Sequence, residues 1–143
     1  MTQIPTEHQE QVQLFRWAAL RPDLELLHAI PNGGERNVIV ARTLKAEGVK
    51  AGVPDICLPV PRGGKCGLYI ELKRQKGGRV SPEQLYWLEA LMREGYACAV
   101  CLGWEAARQV IEDYMEGDYH GQADFSARKP RKRDAKAGAG AGR

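Results

Sequence analysis

The amino-acid sequence predicts an α/β domain in which helices flank a mixed central β-sheet. Short, continuously apolar segments of strand length alternate with longer segments in which apolar residues recur at helical spacing. One pair of strand-like segments is joined by the link PRGGKC, which suits an antiparallel hairpin. Another pair is separated by a helix, which is typical of the crossover between parallel strands. An antiparallel pair and a parallel pair of strands together predict a mixed sheet.

The first part of the chain predicts a helix, a strand and a second helix. Residues 6–20, TEHQEQVQLFRWAAL, start with a threonine N-cap and then place apolar residues at helical spacing. Residues 24–30, LELLHAI, predict a short buried strand, which the Pro-Asn-Gly-Gly turn at 31–34 closes. Residues 36–47 predict a helix that ends at a glycine.

The second part of the chain predicts two hairpin strands, a helix, a further strand and a last helix. Their ranges are 53–60, 67–73, 82–94, 96–102 and 104–115. Ser81 and Gln84 have the spacing of a capping box at the start of the first of these helices. The continuously apolar strands indicate a sheet that is covered on both faces.

Length and composition are those of a single globular domain. The chain has 143 residues, of which 43% are hydrophobic and 27% are charged. It has no apolar run of about eighteen residues, and its N-terminus has no apolar signal core. We therefore expect a cytoplasmic protein that does not cross a membrane. Cys98 and Cys101 form a C-x-x-C, but within a predicted strand, so we expect buried free thiols and not a metal or redox site.

The positive charge is concentrated at the C-terminus. The net charge of the whole chain is +3, and residues 127–143 hold seven basic residues and one acidic residue. This segment has no apolar periodicity, so we predict a functional domain over 1–116 and a basic, disordered tail over 117–143. The tail either attracts phosphate groups without sequence specificity or serves solubility alone, and the sequence does not decide between these two roles.

Three charged residues lie at the ends of two adjacent predicted strands. Asp55 begins the first hairpin strand, and Glu71 and Lys73 end the second. Residues two apart on a strand project from the same face, and Asp55 can reach that face from the neighbouring strand. Two carboxylates suit Mg²⁺ or Mn²⁺, and a lysine beside them can position water or neutralise a phosphate. An ion-pair network without catalysis is the alternative.

The order of the motifs resembles the PD-(D/E)xK nuclease superfamily, which has a restriction-endonuclease-like core. Pro54-Asp55 is followed by fifteen residues and then by Glu71-Leu72-Lys73. Within the superfamily the chain is most similar to the VRR-NUC domain, a virus-type replication-repair nuclease, in a stand-alone form of the phage type. The motifs that carry the similarity are EHQEQ (7–11), AIPNGG (29–34), KAGVPD (50–55), YIELK (69–73) and GRVSPEQ (78–84). The similarity extends to about Met115.

The resemblance implies roles for residues at matching positions. Asp55 and Glu71 are expected to hold the metal ion together with the backbone carbonyl of Leu72. Lys73 is expected to be the catalytic lysine.

The resemblance also implies an acidic residue on the first helix and a glutamine after the SPE turn. Glu7 and Glu10 compete for the first position, and Glu7 is favoured because it precedes Gln11 by four residues, as the family pattern requires. Either glutamate alternatively complements the helix dipole. Gln84 is expected to bind the lysine or a phosphate, and its capping role is compatible with this.

Basic residues flank the expected site. Arg74, Lys76 and Arg79 lie in a glycine-containing loop, and Arg36 follows the Asn-Gly-Gly turn. They suit phosphate contacts that are independent of sequence, and an exposed polar loop without ligand is the alternative. Asn32 is expected to shape its turn.

The resemblance implies a metal-dependent DNA endonuclease with Mg²⁺ or Mn²⁺, selective for branched DNA such as Holliday junctions. One small domain offers one active site, so cutting two strands suggests a homodimer. The hairpin region 59–67 and the helix 104–115 are candidate dimer surfaces. A non-catalytic nucleic-acid-binding module on the same fold is the alternative, and RNA instead of DNA stays open.

Overall fold

The structure is a computed structural model that describes residues 3–31, 38–122 and 125 of the chain. Its elements are α1 (Glu7–Ala18), β1 (His28–Ala29), α2 (Val38–Ala46), β2 (Ile56–Leu58), β3 (Leu68–Lys73), α3 (Pro82–Arg93), β4 (Ala97–Leu102) and α4 (Trp104–Met115). The predicted α/β order is confirmed. Among the described helices none is long and apolar enough to cross a membrane.

The four strands form one mixed sheet in the order β1-β2-β3-β4. The β1–β2 and β2–β3 pairs are antiparallel. Strands β3 and β4, which precede and follow α3 in the chain, are parallel neighbours in the sheet. The pairing of β2 with β3 ends at Ile56 and Ile70, whereas β3 stays paired with β4 as far as Lys73. The last three residues of β3 therefore extend beyond β2, and this extension positions the site.

The sheet is covered on both faces, as the apolar strands predict. One face packs against α1 and α4 through buried residues that include Leu14, Ile70 and Ile111. The other face carries a smaller cluster of Leu88, Cys98 and Phe125. Helices α1 and α3 both begin with a complete capping box, formed by Thr6 with Gln9 and by Ser81 with Gln84.

The predicted buried strand over 24–30 is wrong in length and burial. The strand has only two residues, His28 and Ala29, and both are exposed. A 3₁₀ turn over Pro22–Leu24 precedes it, and Leu24 and Leu27 reach the core from the turn. Because β1 is an edge strand beside the three-residue β2, it has few partners for a longer ladder.

Strand β2 is also shorter than the predicted range 53–60. Pro54 and Pro59 flank its three residues, and proline has no N–H to give to a ladder. Helix α2 has no buried residue, and Val38 and Ile39 are 65% and 76% exposed. The predicted start of this helix at Arg36 and the predicted turn residue Asn32 lie outside the described residues.

The chain beyond α4 packs along the outer edge of β4. The backbone N–H of Gln122 donates to the Cys98 carbonyl, and the Gln122 side chain accepts from the Val100 N–H at 2.6 Å. Phe125 is buried. This segment protects an edge that is open to pairing with other strands. The packed part of the chain thus continues past residue 116, and residues from 126 on lie outside the described part.

Tyr114→Phe is expected to destabilise the protein by about 1 to 2 kcal/mol. Tyr114 is fully buried, and its hydroxyl donates to the Val60 carbonyl at 2.6 Å, so the change leaves that carbonyl without its donor. Urea unfolding measures the effect. Tyr86→Phe is the matched control, because Tyr86 is 65% exposed and should lose little stability. Equal losses in both variants would contradict the expected result.

Candidate active site

Asp55 is fixed at the point where β2 begins. Its Oδ2 accepts a hydrogen bond from the backbone N–H of Leu72 at 2.8 Å, beyond the last residue pair of the β2–β3 ladder. Its own carbonyl accepts from the Ile30 N–H at 2.6 Å. The Asp55 side chain thus takes the place of a strand partner for the end of β3, which explains how a carboxylate comes to lie inside the sheet edge.

The backbone carbonyl of Leu72 points toward Asp55. Successive carbonyls along a strand point to opposite edges, and the carbonyl of Lys73 accepts from the Gly103 N–H on the β4 side. The Leu72 N–H and carbonyl therefore both point to the other side, where Asp55 lies. This carbonyl is the third oxygen expected at the site.

Glu71, Lys73 and Gln84 form a cluster of polar contacts in which the two charged residues are buried. Glu71 is 2% exposed and Lys73 is 7% exposed. The Lys73 Nζ lies 3.4 Å from Glu71 Oε1 and donates to Gln84 Oε1 at 3.1 Å. The Gln84 Nε2 donates to Glu71 Oε1 at 2.9 Å. The two charged side chains share one face of β3, as their spacing predicts.

Gln84 has two functions at once. Its Oε1 accepts from the backbone N–H of Ser81 at 2.8 Å, which completes the capping box of α3. The same oxygen accepts from Lys73, and the amide nitrogen donates to Glu71. The capping box therefore holds this amide in one orientation, and the start of α3 is connected directly to both charged residues.

The environment of Asp55 and Glu71 disfavours the charged forms of both carboxyl groups, although the Lys73 ammonium lies beside them. Burial raises the pKa of Asp55 above its ordinary value. Burial and then the nearby Asp55 carboxylate raise the pKa of Glu71 to about 8. Glu71 Oε2 is buried and has no hydrogen-bond partner among the described residues. Since a buried carboxylate oxygen without a partner is costly, this environment favours a positively charged ligand.

The residues present fit a divalent cation of the Mg²⁺ type. Asp55, Glu71 and the Leu72 carbonyl supply oxygen atoms only, and such cations prefer oxygen ligands and keep several waters. No group of three or more His, Cys, Asp or Glu side chains within the described ranges is placed to hold a metal ion. Water or a phosphate oxygen would therefore complete the coordination.

The structure separates the two glutamates of α1. Glu7 is exposed and lines a cleft of about 570 Å³ together with Gln11, Asp55 and Leu72. Glu10 is 1% exposed, and its carboxylate accepts from the Trp104 N–H at 2.5 Å and from Gln75 at 3.0 Å. Glu7 thus shares a cleft with the proposed metal ligands, whereas Glu10 is engaged elsewhere. The role of Glu7 stays a prediction.

Gly52 supports the site, although the sequence reasoning did not single it out. It has φ +92, and a Cβ there would lie 2.6 Å from the backbone carbonyl of Glu83. The segment that leads to Asp55 therefore packs directly on the first turn of α3. The glycine within KAGVPD is the only sequence signal for this close approach.

Gly52→Ala is expected to destabilise the protein by about 1 to 3 kcal/mol more than Gly48→Ala. Both glycines have positive φ, so both variants place an alanine in a backbone conformation that strains it. Only Gly52 has backbone atoms in the way, since nothing lies within 4 Å of a Cβ at Gly48. Thermal unfolding of the two variants measures the difference, and similar Tm values would show that the contact is unimportant.

Fold and site together define a class, namely α/β domains with the Pro-Asp and Glu-x-Lys pattern at the ends of two adjacent strands. The VRR-NUC domain family matches residues 2–105. A solved structure described as a VRR_NUC domain protein matches with a TM-score of 0.71 and 30% identity, over 87% of this chain and 100% of that chain. No curated protein matches the chain. The chain therefore belongs to the VRR-NUC family, a nuclease family.

The family and the fold expected from the sequence are thereby confirmed. The match over residues 2–105 includes Glu7, Asp55, Glu71, Lys73 and Gln84. The match assigns no role to any of them.

Proposed function

We propose that this protein is a metal-dependent endonuclease that hydrolyses phosphodiester bonds in DNA, with Mg²⁺ or Mn²⁺ as its cofactor. The observation that carries the proposal is the cluster of the half-buried Asp55 with the buried Glu71 and Lys73, in which the Glu71 Oε2 has no protein partner among the described residues. Two carboxylates that repel each other in a buried site are stabilised by a divalent cation. A structural ion pair alone would not require the second carboxylate.

Asp55, Glu71 and the Leu72 carbonyl would hold the cation. When bound, the ion polarises a phosphoryl oxygen and lowers the pKa of a coordinated water. Glu7 lines the same cleft, and we propose that it accepts a hydrogen bond from a water of this site. Its position on α1 leaves it exposed, so we propose that it orients water and does not carry the main part of metal affinity.

Lys73 would position the attacking water or neutralise charge on the phosphate. An ammonium group has three donors, of which one is hydrogen-bonded to Gln84, while the Glu71 carboxylate lies 3.4 Å from the nitrogen as an ion pair. A further donor is left for a water molecule or a phosphate oxygen. Gln84 keeps Lys73 and Glu71 in a fixed relation, since it donates to one and accepts from the other. We propose that Gln84 is a positioning residue.

The substrate is proposed to be branched DNA, with two copies of the chain acting together. One domain carries one such site, and cutting opposed strands of a junction requires two sites. Ala107, Ile111 and Tyr114 of α4 are buried, and its larger apolar residues pack at least partly against the core, which makes this helix a weaker candidate for the dimer surface than the hairpin region 59–67. The exposed cations Arg74, Lys76 and Arg79 suit contacts to the DNA backbone.

A panel of labelled substrates tests the proposed activity. Duplex, flap and four-way-junction DNA are incubated with wild-type protein in Mg²⁺, in Mn²⁺ and in EDTA, and light scattering gives the oligomeric state. We expect cleavage only in the presence of Mg²⁺ or Mn²⁺, and we expect the branched substrates to be cut fastest. Light scattering should show a dimer. Folded protein that binds DNA but cuts none of these substrates would favour a non-catalytic binding module instead. A parallel RNA duplex and flap test the sugar preference.

A further inference from the structure

Glu10 connects three separate parts of the fold. Its Oε2 accepts from the backbone N–H of Trp104 at 2.5 Å, so α1 supplies the acceptor for the first turn of α4. Gly103, the N-cap residue of α4, has no side chain that could do this. The Glu10 Oε1 accepts from the Gln75 Nε2 at 3.0 Å. A buried carboxylate of the first helix therefore holds both α4 and the segment that follows β3.

The space for this contact depends on a glycine. Gly103 has φ +89, and a Cβ there would lie 3.0 Å from Gln75 Cγ and 3.1 Å from Glu10 Oε2. The side chain of Gln75 thus lies across Gly103 on its way to Glu10. Gln75 itself is exposed, so the hydrophobic core does not need it. Its amide anchors a surface segment to a buried group.

The anchored segment is the basic loop over 74–79, RQKGGR. Arg74, Lys76 and Arg79 are exposed, and the ion pairs within the described part of the chain are Arg21–Asp23 and Lys73–Glu71. The loop then folds back onto the proposed site, because a Cβ at Gly78 would lie 2.9 Å from Lys73 Cβ. Three solvent-facing cations thus lie directly beside the lysine of the site.

We propose that the Glu10–Gln75 hydrogen bond is a positioning contact for substrate binding. It holds the loop over 74–79 in the shape in which its cations meet the phosphates of DNA on either side of the cleaved bond. Glu10 acts through Gln75 and touches no reacting atom. The inference rests on the proposed nuclease function, and it assigns to Gln75 and Glu10 an effect on DNA affinity and not on the chemical step.

The test compares Gln75→Glu with the double variant Glu10→Gln/Gln75→Glu. The single variant puts a second carboxylate against Glu10 and breaks the contact. In the double variant the new amide at position 10 can donate to the new carboxylate at position 75 and still accept from Trp104, and the net charge equals that of wild type. Gln109→Glu is the matched control, because Gln109 is an exposed glutamine that donates to Asp113 at 3.0 Å on α4.

DNA affinity in EDTA, its salt dependence, kcat and KM, and amide exchange of the loop are measured for all four proteins. For Gln75→Glu we expect Kd and KM to rise about tenfold, the slope of log affinity against log salt to become shallower, and kcat to stay nearly constant. Loop amides over 74–79 should exchange faster. The double variant should recover the wild-type values, and Gln109→Glu should not depart from them.

Two results would overturn the inference and leave the nuclease function intact. One is a Gln75→Glu variant that binds DNA as tightly as Gln109→Glu. The other is a double variant that binds no better than Gln75→Glu, since the loss would then come from the added charge. Wild-type protein that neither binds nor cuts DNA would instead overturn the proposed function and this role with it, before any variant is compared.

Discussion

Lys73→Met is expected to lower the rate of metal-dependent DNA cleavage by about 10² to 10⁴-fold while the protein stays folded. The methionine keeps the apolar stem of the lysine, which is 7% exposed, but removes the ammonium group that reaches Gln84 and Glu71. No other side chain of the cluster can supply a positive charge or donate three hydrogen bonds. Single-turnover cleavage at saturating protein measures the loss independently of DNA affinity.

Lys45→Met is the matched control for this variant. Lys45 is exposed on α2, a helix without a buried residue, and it lies outside both candidate dimer surfaces. The same chemical change there should leave the single-turnover rate within about twofold of wild type, since surface changes away from a site have small effects. A Lys73→Met variant that cuts as fast as Lys45→Met would remove the lysine from the mechanism.

Glu71→Gln is expected to abolish cleavage and, at the same time, to stabilise the metal-free protein by about 1 to 2 kcal/mol. Glu71 Oε2 is buried beside Asp55 without a partner in the described part of the chain. A glutamine can keep the oxygen that accepts from Gln84 and offer an N–H toward Asp55. Removing the carboxylate also removes one of the two charges that attract a cation. Thermal unfolding in EDTA and a cleavage assay in Mg²⁺ measure the two effects.

The stability difference should depend on pH in a known direction. The folded protein raises the pKa of Glu71 from 4.5 to about 8, so folding favours the protonated form. The contribution of this group is therefore fully present below pH 4.5 and is lost as the pH rises toward 8. The advantage of Glu71→Gln in EDTA should grow over that range. Glu89→Gln, at an exposed position of α3, should give no such trend.

The sequence was sufficient to predict the order of elements and the clustering of the charged residues. The segment LYIELK is apolar except for Glu71 and Lys73, so these two residues stand out, and a period of two places them on one face. The capping-box spacing of Ser81 and Gln84 predicted where α3 starts. The structure brings Asp55, Glu71 and Lys73 together, as this local reasoning predicts, and adds Gln84, whose contact with the lysine only the family resemblance implied.

Features that depend on distant contacts were not predictable in this way. Glu10 meets Gln75 and Trp104, which are 65 and 94 residues away along the chain, so no local pattern separates it from Glu7. The burial of Phe125 beside Leu88 and Cys98 depends on how the chain returns along β4. The apolar run LELLHAI predicts a buried strand by composition, yet the short β2 beside it leaves most of that run unpaired.

Metal-dependent phosphodiester cleavage by the cluster at the end of β3 is tested most directly by a time course on labelled four-way-junction DNA. Wild type, Lys73→Met and Lys45→Met are compared in Mg²⁺ and in EDTA. We expect cutting by wild type and Lys45→Met in Mg²⁺ alone, and almost none by Lys73→Met. Equal cutting by all three proteins, or cutting that persists in EDTA, would contradict this mechanism.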